Sequence, residues 1–259
     1  MRFWFLSSAV GSGELWTPAN TTTGLWFDAG DDSTVTLDGN GRVSDILDKS
    51  GNNRDGSQPT SSERPDYLLS SVNGLNVADF ISGTAMPFVS FPQASGQHIL
   101  LAGDTTDIQT GFRAFMERSN ATVGDPALHF GSSNETRRPG TFWASVNSVR
   151  APWPTAIQRQ AIFMWSLVAD GSTATIETNI DAGTPESASF TQPAALSKEW
   201  NSITLVGSQQ AIFKFYEAVA LPSPTTEIIE KAEGYLAHRW GLEANLPSGH
   251  PYKNEAPTV

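Results

Sequence analysis

Six aspartates, Asp28, Asp31, Asp32, Asp38, Asp45 and Asp48, crowd into residues 28–48. Carboxylates gathered on loops can supply the roughly six to eight oxygens that Ca2+ takes. Asp28, Asp31 and Asp32 form the candidate calcium set. The calcium-loop pattern D-x-[DN]-x-[DN]-G is absent, and aspartate is also an ordinary turn former. The turn reading therefore stands first, with calcium beside it, and no other cofactor is expected. The four histidines, His98, His129, His238 and His250, include no H-E-x-x-H or similar pair, so zinc is not expected. His238 falls near the C-terminal end of a predicted helix, where a cation suits the dipole. His250 lies in a G-H-P-Y turn and is expected to serve backbone groups.

Catalysis by paired carboxylates needs two acids on one face of a strand. The nearest arrangement is Glu177-Thr178-Asn179-Ile180-Asp181. The retaining jelly-roll glucanases use E-x-D-x-E or E-x-D-x-x-E. Here Asn179 stands in the middle and Asp181 at the end, and an amide does not tune a neighbouring carboxyl as an aspartate does. There is no G-x-S-x-G elbow, no P-loop and no cysteine. The expectation is a protein that is not an enzyme.

Binding chemistry is better served between Trp143 and Trp153. The two indoles flank Asn147, Arg150 and Pro152, and a second proline, Pro154, follows. A sugar ring stacks its apolar C–H face on tryptophan, while Asn and Arg bond its hydroxyls. Arg113, Arg137 and Arg138 can join if their loops converge. Against this, Trp143 also reads as a core residue of its strand, and Trp153 as a loop staple.

The elements that must position these residues are mostly strands. The chain has 259 residues, 22 Gly and 16 Pro, with 17% charged residues, a balance that suits many short strands. Predicted strands include Gly24–Ala29, Thr34–Leu37, Arg42–Leu47, Leu75–Phe80, Met86–Phe91, His98–Ala102, Gly111–Arg118, Thr141–Val149, Trp200–Val206 and Ala211–Val219. Asp38-Gly39-Asn40-Gly41 reads as a tight turn, and 48–65 as a long polar loop. Ala161–Ala169 is apolar on both alternations, as in a strand covered on both faces. It turns at Asp170-Gly171 into the alternating Ser172–Ile180. Ile229, Ala232, Leu236 and Trp240 recur at helical spacing after Thr225 or Thr226 as cap, with Gly241 at the far end. About twelve strands and one C-terminal α-helix predict an all-β, two-sheet antiparallel jelly-roll sandwich.

The segment EKAEGYLAHRWGL followed by LPSGHPY resembles the C-terminal signature of bacterial and phage proteins with a concanavalin A-like, LamG-type jelly roll. GLWFDAGDDSTVTLDGNGRVSDILDKSGNNRDG is similar to the N-terminal signature of the same group. The two bracket residues 24–252. The resemblance implies a lectin-like domain over residues 24–259, and a calcium-binding loop rim as many proteins of this kind have. It also suggests a virion protein, since WTPA at Trp16–Ala19 precedes such domains in phage proteins. Folds of this kind also host glycosidases and structural modules.

Residues 1–23 read as an arm and linker. Phe3, Trp4, Phe5 and Leu6 are too apolar for water and are expected to dock on this domain or on another subunit. As a signal peptide the same stretch is poor. The net charge of −11 has no basic cluster beyond Arg137–Arg138, which disfavours nucleic acid and anionic membranes. No apolar run reaches the length of a membrane span. The expected partners are other virion proteins through the arm, a host-surface glycan, and further copies of the chain. The alternative is a secreted, extracellular carbohydrate-binding module of a bacterium.

Overall fold

The computed structural model describes residues 13–81, 83–92, 94–105, 113–117, 128–132, 139–143, 159–170, 173–191, 199–203 and 212–259. Among them the chain forms two eight-stranded antiparallel sheets and one α-helix, a jelly-roll sandwich with the helix laid on one face.

The first sheet holds β1 (Leu25–Asp28), β5 (Asp66–Val72), β6 (Leu75–Phe80), β8 (Gln97–Asp104), β12 (Gln160–Asp170), β13 (Thr173–Ile180), β14 (Glu186–Thr191) and β16 (Phe213–Leu221). Its order is β14-β13-β12-β8-β16-β6-β5, and β1 also pairs with β16. The second sheet runs β11 (Pro139–Trp143), β10 (Leu128–Ser132), β9 (Arg113–Glu117), β15 (Glu199–Ile203), β7 (Met86–Pro92), β4 (Gly56–Ser57), β3 (Val43–Ile46) and β2 (Val35–Leu37).

Period-two alternation builds the core. Phe163, Trp165 and Leu167 of β12, with Phe27, Phe80, Leu101, Phe213 and Phe215, face inward onto Met86, Phe88 and Phe91 of β7 and Val43 and Ile46 of β3. The intervening residues of the first sheet, among them Leu100, Ile162, Met164 and Val219, meet the helix α1 (Thr226–Trp240) on the outer face. Both faces of β12 are thus covered over residues 161–167, as its apolar sequence predicts, while Val168 beyond them is exposed.

Thr225 caps α1, its Oγ1 accepting from the Ile228 amide at 3.3 Å. Gly241 ends it in the left-handed region at φ 68°. Ala232, Leu236 and Trp240 are buried as the spacing requires, and Glu233, Gly234 and Ala237 join them, whereas Ile229 is only partly buried and Ile228 packs against the cluster in its place. Glu227 and Lys231, four residues apart on the helix, pair at 3.3 Å. Gly234 permits a close approach: a Cβ there would lie 2.5 Å from Cβ of Tyr252.

Three corrections concern extents. The polar stretch 48–65 contains the short strand β4 and a 3-10 turn at Ser61–Glu63. Strands β5, β10 and β14 are additional to the predicted set. The hairpin register pairs Asp170 with Thr173, one residue beyond the predicted turn.

The segment 13–23, read as arm and linker, lies on the sandwich. Leu15 bridges to Thr258, Trp16 N donates to Pro257 O at 2.9 Å, and Val259 N donates to Glu14 O at 3.0 Å. Trp16 is buried and meets Tyr235 edge-on with ring centroids 6.1 Å apart. Phe3, Trp4, Phe5 and Leu6 lie outside the described residues.

Candidate functional site

The acidic stretch splits into two jobs. Asp48 folds its own loop. Its Oδ1 accepts from the amides of Trp26 (2.9 Å) and Ser50 (3.0 Å), and its Oδ2 from Ser50 Oγ and the Arg54 amide. Asp28, Asp31 and Asp32 sit at the junction of β1, β16 and α1. Lys49 Nζ stands between the first two, 2.9 Å from Asp28 Oδ2 and 2.8 Å from Asp31 Oδ2. Asp32 Oδ1 meets the Tyr67 hydroxyl at 2.8 Å and the Asn76 amide. A cation already fills the space between Asp28 and Asp31. Among the described residues no group of three or more His, Asp or Glu is placed to hold a metal ion.

Behind these aspartates lies a buried network that the sequence reading did not single out. The β1–β16 register sets Asp28 opposite Glu217, and both are fully buried. Arg239, from the last turn of α1, bridges them. Its Nη2 is 2.7 Å from Asp28 Oδ2 and its Nε 3.1 Å from Glu217 Oε2. Glu217 Oε1 further accepts from Trp26 Nε1 at 2.7 Å and the Tyr235 hydroxyl at 2.9 Å, and Oε2 from Trp240 Nε1 at 2.8 Å. Two like charges in a dry site are costly unless donors surround them. Burial, and next the Asp28 charge, push the Glu217 carboxyl up to about 7, against Arg239 and the two indoles. Burial alone would lower the Lys49 ammonium, but Asp28 and Asp31 outweigh it and hold it raised. Asp28 and Glu217 are sealed from solvent, and Arg239, Lys49 and Asp31 are partly exposed around them. This is a lock between the first strand, the last strand and the helix.

The carboxylate pattern on β13 comes apart. Asp181 lies past the strand end at φ 50°, where its Oδ1 accepts from the Ile162 amide at 2.8 Å and its Oδ2 meets Arg159 at 2.6 Å. Glu177 stays on the strand, opposite Ser166 and Ser187. The two acids do not face one another across an open site.

Of the proposed sugar-contacting residues, Trp143 ends β11 and Arg113 begins β9; their strand positions are described and their side chains are not. The register pairs Trp143 with Leu128 and Arg113 with Ser132, at opposite ends of β10. At a rise of about 3.3 Å per residue the two are some 13 Å apart along the ribbon. Asn147, Arg150 and Trp153, with Arg137 and Arg138, lie outside the described residues. His238 Nε2 lies 2.9 Å from Tyr252 O. His250 accepts the Tyr252 amide at Nδ1, the expected backbone role, and its Nε2 reaches the buried Glu233 at 3.3 Å.

No protein-family model matches the chain, and no curated protein matches it. Solved structures of similar fold include the exoplasmic/lumenal domain of VIP36 in a Ca2+/Man2-bound form, at 9% identity, 63% of this chain, 84% of that chain and TM-score 0.36. A Lotus tetragonolobus seed lectin aligns at 10% identity over 76% of this chain and 96% of its own, with TM-score 0.35. Peanut lectin bound to a nine-residue peptide aligns at 11% identity over 80% and 94%, with TM-score 0.32. At such identities and TM-scores the likeness carries no argument about this chain.

Proposed function

We propose that this chain is a structural and adhesive protein of a phage virion, presenting a lectin-like, non-enzymatic domain to host-surface carbohydrate. The observation that carries the reading is where the two resembling segments meet. GLWFDAGDD supplies Trp26 and Asp28, DKSGNNRDG supplies Lys49, and AHRWGL supplies Arg239 and Trp240. All five converge on Glu217 or on one another. The residues behind the resemblance are therefore fold-locking, which leaves recognition to other segments such as the one between Trp143 and Trp153. Residues 1–12 anchor the domain to other virion proteins, and repeated copies give avidity for a weakly held glycan.

The test has two arms. Antibody detection on purified intact particles is expected to find the chain, and a glycan array is expected to give hits that Trp143→Ala and Trp153→Ala weaken. A chain absent from particles and cleaved near Ala9 would favour the secreted module instead. A blank array with particle association would leave only the structural role.

A further inference from the structure

The turn that follows α1 gathers carbonyl oxygens at one point. Gly241 takes the chain out of the helix in the left-handed region. Leu242 and Leu246 are then buried in the apolar contact beneath α1. Between them the 3-10 turn Glu243–Asn245 is closed by its own backbone bonds, Asn245 N to Leu242 O at 2.9 Å and Leu246 N to Glu243 O at 3.2 Å. A turn pinned at both ends holds its carbonyls in fixed directions. The Nζ of Lys253 lies where three of them meet, 2.8 Å from Glu243 O, 2.6 Å from Ala244 O and 2.8 Å from Leu246 O.

The match is one of donor count. An ammonium has three N–H donors and no acceptor, and three carbonyls take up the whole set. Each bond is charge-assisted. Backbone carbonyls converging on a point are a ligand set for a cation, and here the cation is supplied by the chain itself. A guanidinium does not fit in its place, because its donors lie in one plane and point apart. The site is reachable from solvent on the side of Ala244, which is exposed.

Lys253 belongs to a segment that apolar burial does not hold. Every residue from 247 to 256 is exposed or half-buried. Its contacts with α1 are polar or tight: His238 Nε2 to Tyr252 O at 2.9 Å, His250 Nε2 to Glu233 Oε2 at 3.3 Å, and the Tyr252 side chain in the space that a Cβ on Gly234 would fill. A segment held this way opens locally when a strong contact is lost. The same segment carries a second load. Beyond Lys253, Pro257 O accepts the Trp16 amide at 2.9 Å and the Val259 amide donates to Glu14 O at 3.0 Å. Residues 14–16 are therefore fixed through residues 257–259, and residues 1–12 leave the domain from there.

We propose that the carbonyls of Glu243, Ala244 and Leu246 form a binding site for one primary ammonium group, with the Lys253 side chain as its tethered occupant. Occupancy latches residues 247–259 onto α1 and, through them, residues 14–16 onto the sandwich. The latch is independent of what the domain binds. The test is amide hydrogen exchange on the full chain, read by NMR. Lys253→Ala is expected to speed exchange at the Lys253 and Val259 amides, which donate to His250 O and Glu14 O, and at the Trp16 amide. The expected change is about tenfold or more, the scale of a lost charge-assisted hydrogen bond, while the Leu236 amide inside α1 keeps its rate. n-Propylammonium chloride at high millimolar concentration is expected to restore part of the protection. Tetramethylammonium chloride at the same concentration, which has no N–H, is not. Lys253→Arg is expected to exchange like Lys253→Ala although it keeps the charge. If Lys253→Ala does not fold, the wild type decides: acetic anhydride should acylate Lys253 about tenfold more slowly in the folded chain than in the urea-unfolded one, since a fully bonded ammonium does not attack. Unchanged exchange in Lys253→Ala, equal effects of the two ammonium salts, or equal acylation folded and unfolded overturns the site. A Trp16 amide that keeps its rate while the Lys253 amide speeds up overturns the hold on residues 14–16.

Discussion

Arg239 is the residue on which two buried carboxylates depend. Asp28 and Glu217 face each other across β1 and β16, and its guanidinium bonds both. Arg239→Ala leaves an uncompensated buried pair, and breaking such pairs costs about 3–5 kcal/mol. The deficit has a definite pH dependence. Burial, and next the Asp28 charge, push the Glu217 carboxyl up to about 7, above its ordinary value. Its proton therefore binds the folded state more tightly, and its contribution to stability is present at low pH and lost as pH rises through about 7. Without Arg239 the carboxyl moves further up. Denaturant melts should show a deficit that is largest at pH 8 and shrinks toward pH 5. A deficit constant across that range would mean that Glu217 is not the group being left bare. Glu217 itself was legible in principle: the strand FKFYEAVAL carries one acid in an otherwise apolar run, and a buried charge demands partners. Which partners could not be read, because Asp28 and Arg239 lie 211 positions apart. Asp28 and Asp31 read first as turn formers and second as calcium ligands. That Lys49 would be the cation depended on a loop whose course Asp48 sets.

The helix was the most legible element, because its spacing, its cap and its terminal glycine agree with one another. Two predictions test it at that scale. Thr225→Ala removes the cap bond to Ile228 and should lower stability by about 1 kcal/mol in a urea melt. Gly234→Ala gains helix propensity in an isolated peptide, but in the protein a Cβ would meet the Tyr252 side chain. Overpacking at a rigid contact costs about 1–3 kcal/mol, so the substitution should destabilise despite the better propensity. The pair Gly234→Ala/Tyr252→Ala should recover part of that loss, and a Gly234→Ala protein as stable as wild type would show that the C-terminal segment gives way. Periodicity did not announce Gly234, since a glycine in a helix reads only as a weak position. Strand extents were less legible for a related reason. Ser70 within β5 and Asn73 just past its end take positive φ, and the register shifts between Leu68 and Val72, so the alternation that marks a strand is broken. Strand β4 is two residues long and is held by tertiary pairing rather than by its own pattern.

At the scale of the whole molecule, the two ends of the described chain are bound into one structure. Leu15 pairs with Thr258 and Trp16 packs against α1 through Tyr235, so the sandwich, the helix and both terminal segments form one cooperative body. The composition implied such a body, but not that residues 13–23 belong to it, because Gly13, Pro18 and the threonine run read as a join. A boundary experiment separates the anchoring role from the folding role. Removing residues 1–12 takes away Phe3, Trp4, Phe5 and Leu6 and leaves Trp16 in place. It should leave the melting temperature unchanged while abolishing recovery on particles. Removing residues 1–23 also strips a buried tryptophan, a loss of about 3–5 kcal/mol by comparison with core truncations, and should lower the melting temperature by several degrees. If the shorter deletion melts as low as the longer one, the aromatic arm is part of the domain, and its proposed attachment to a neighbouring subunit loses its basis. If neither deletion changes particle recovery, the adhesion module is carried by another surface.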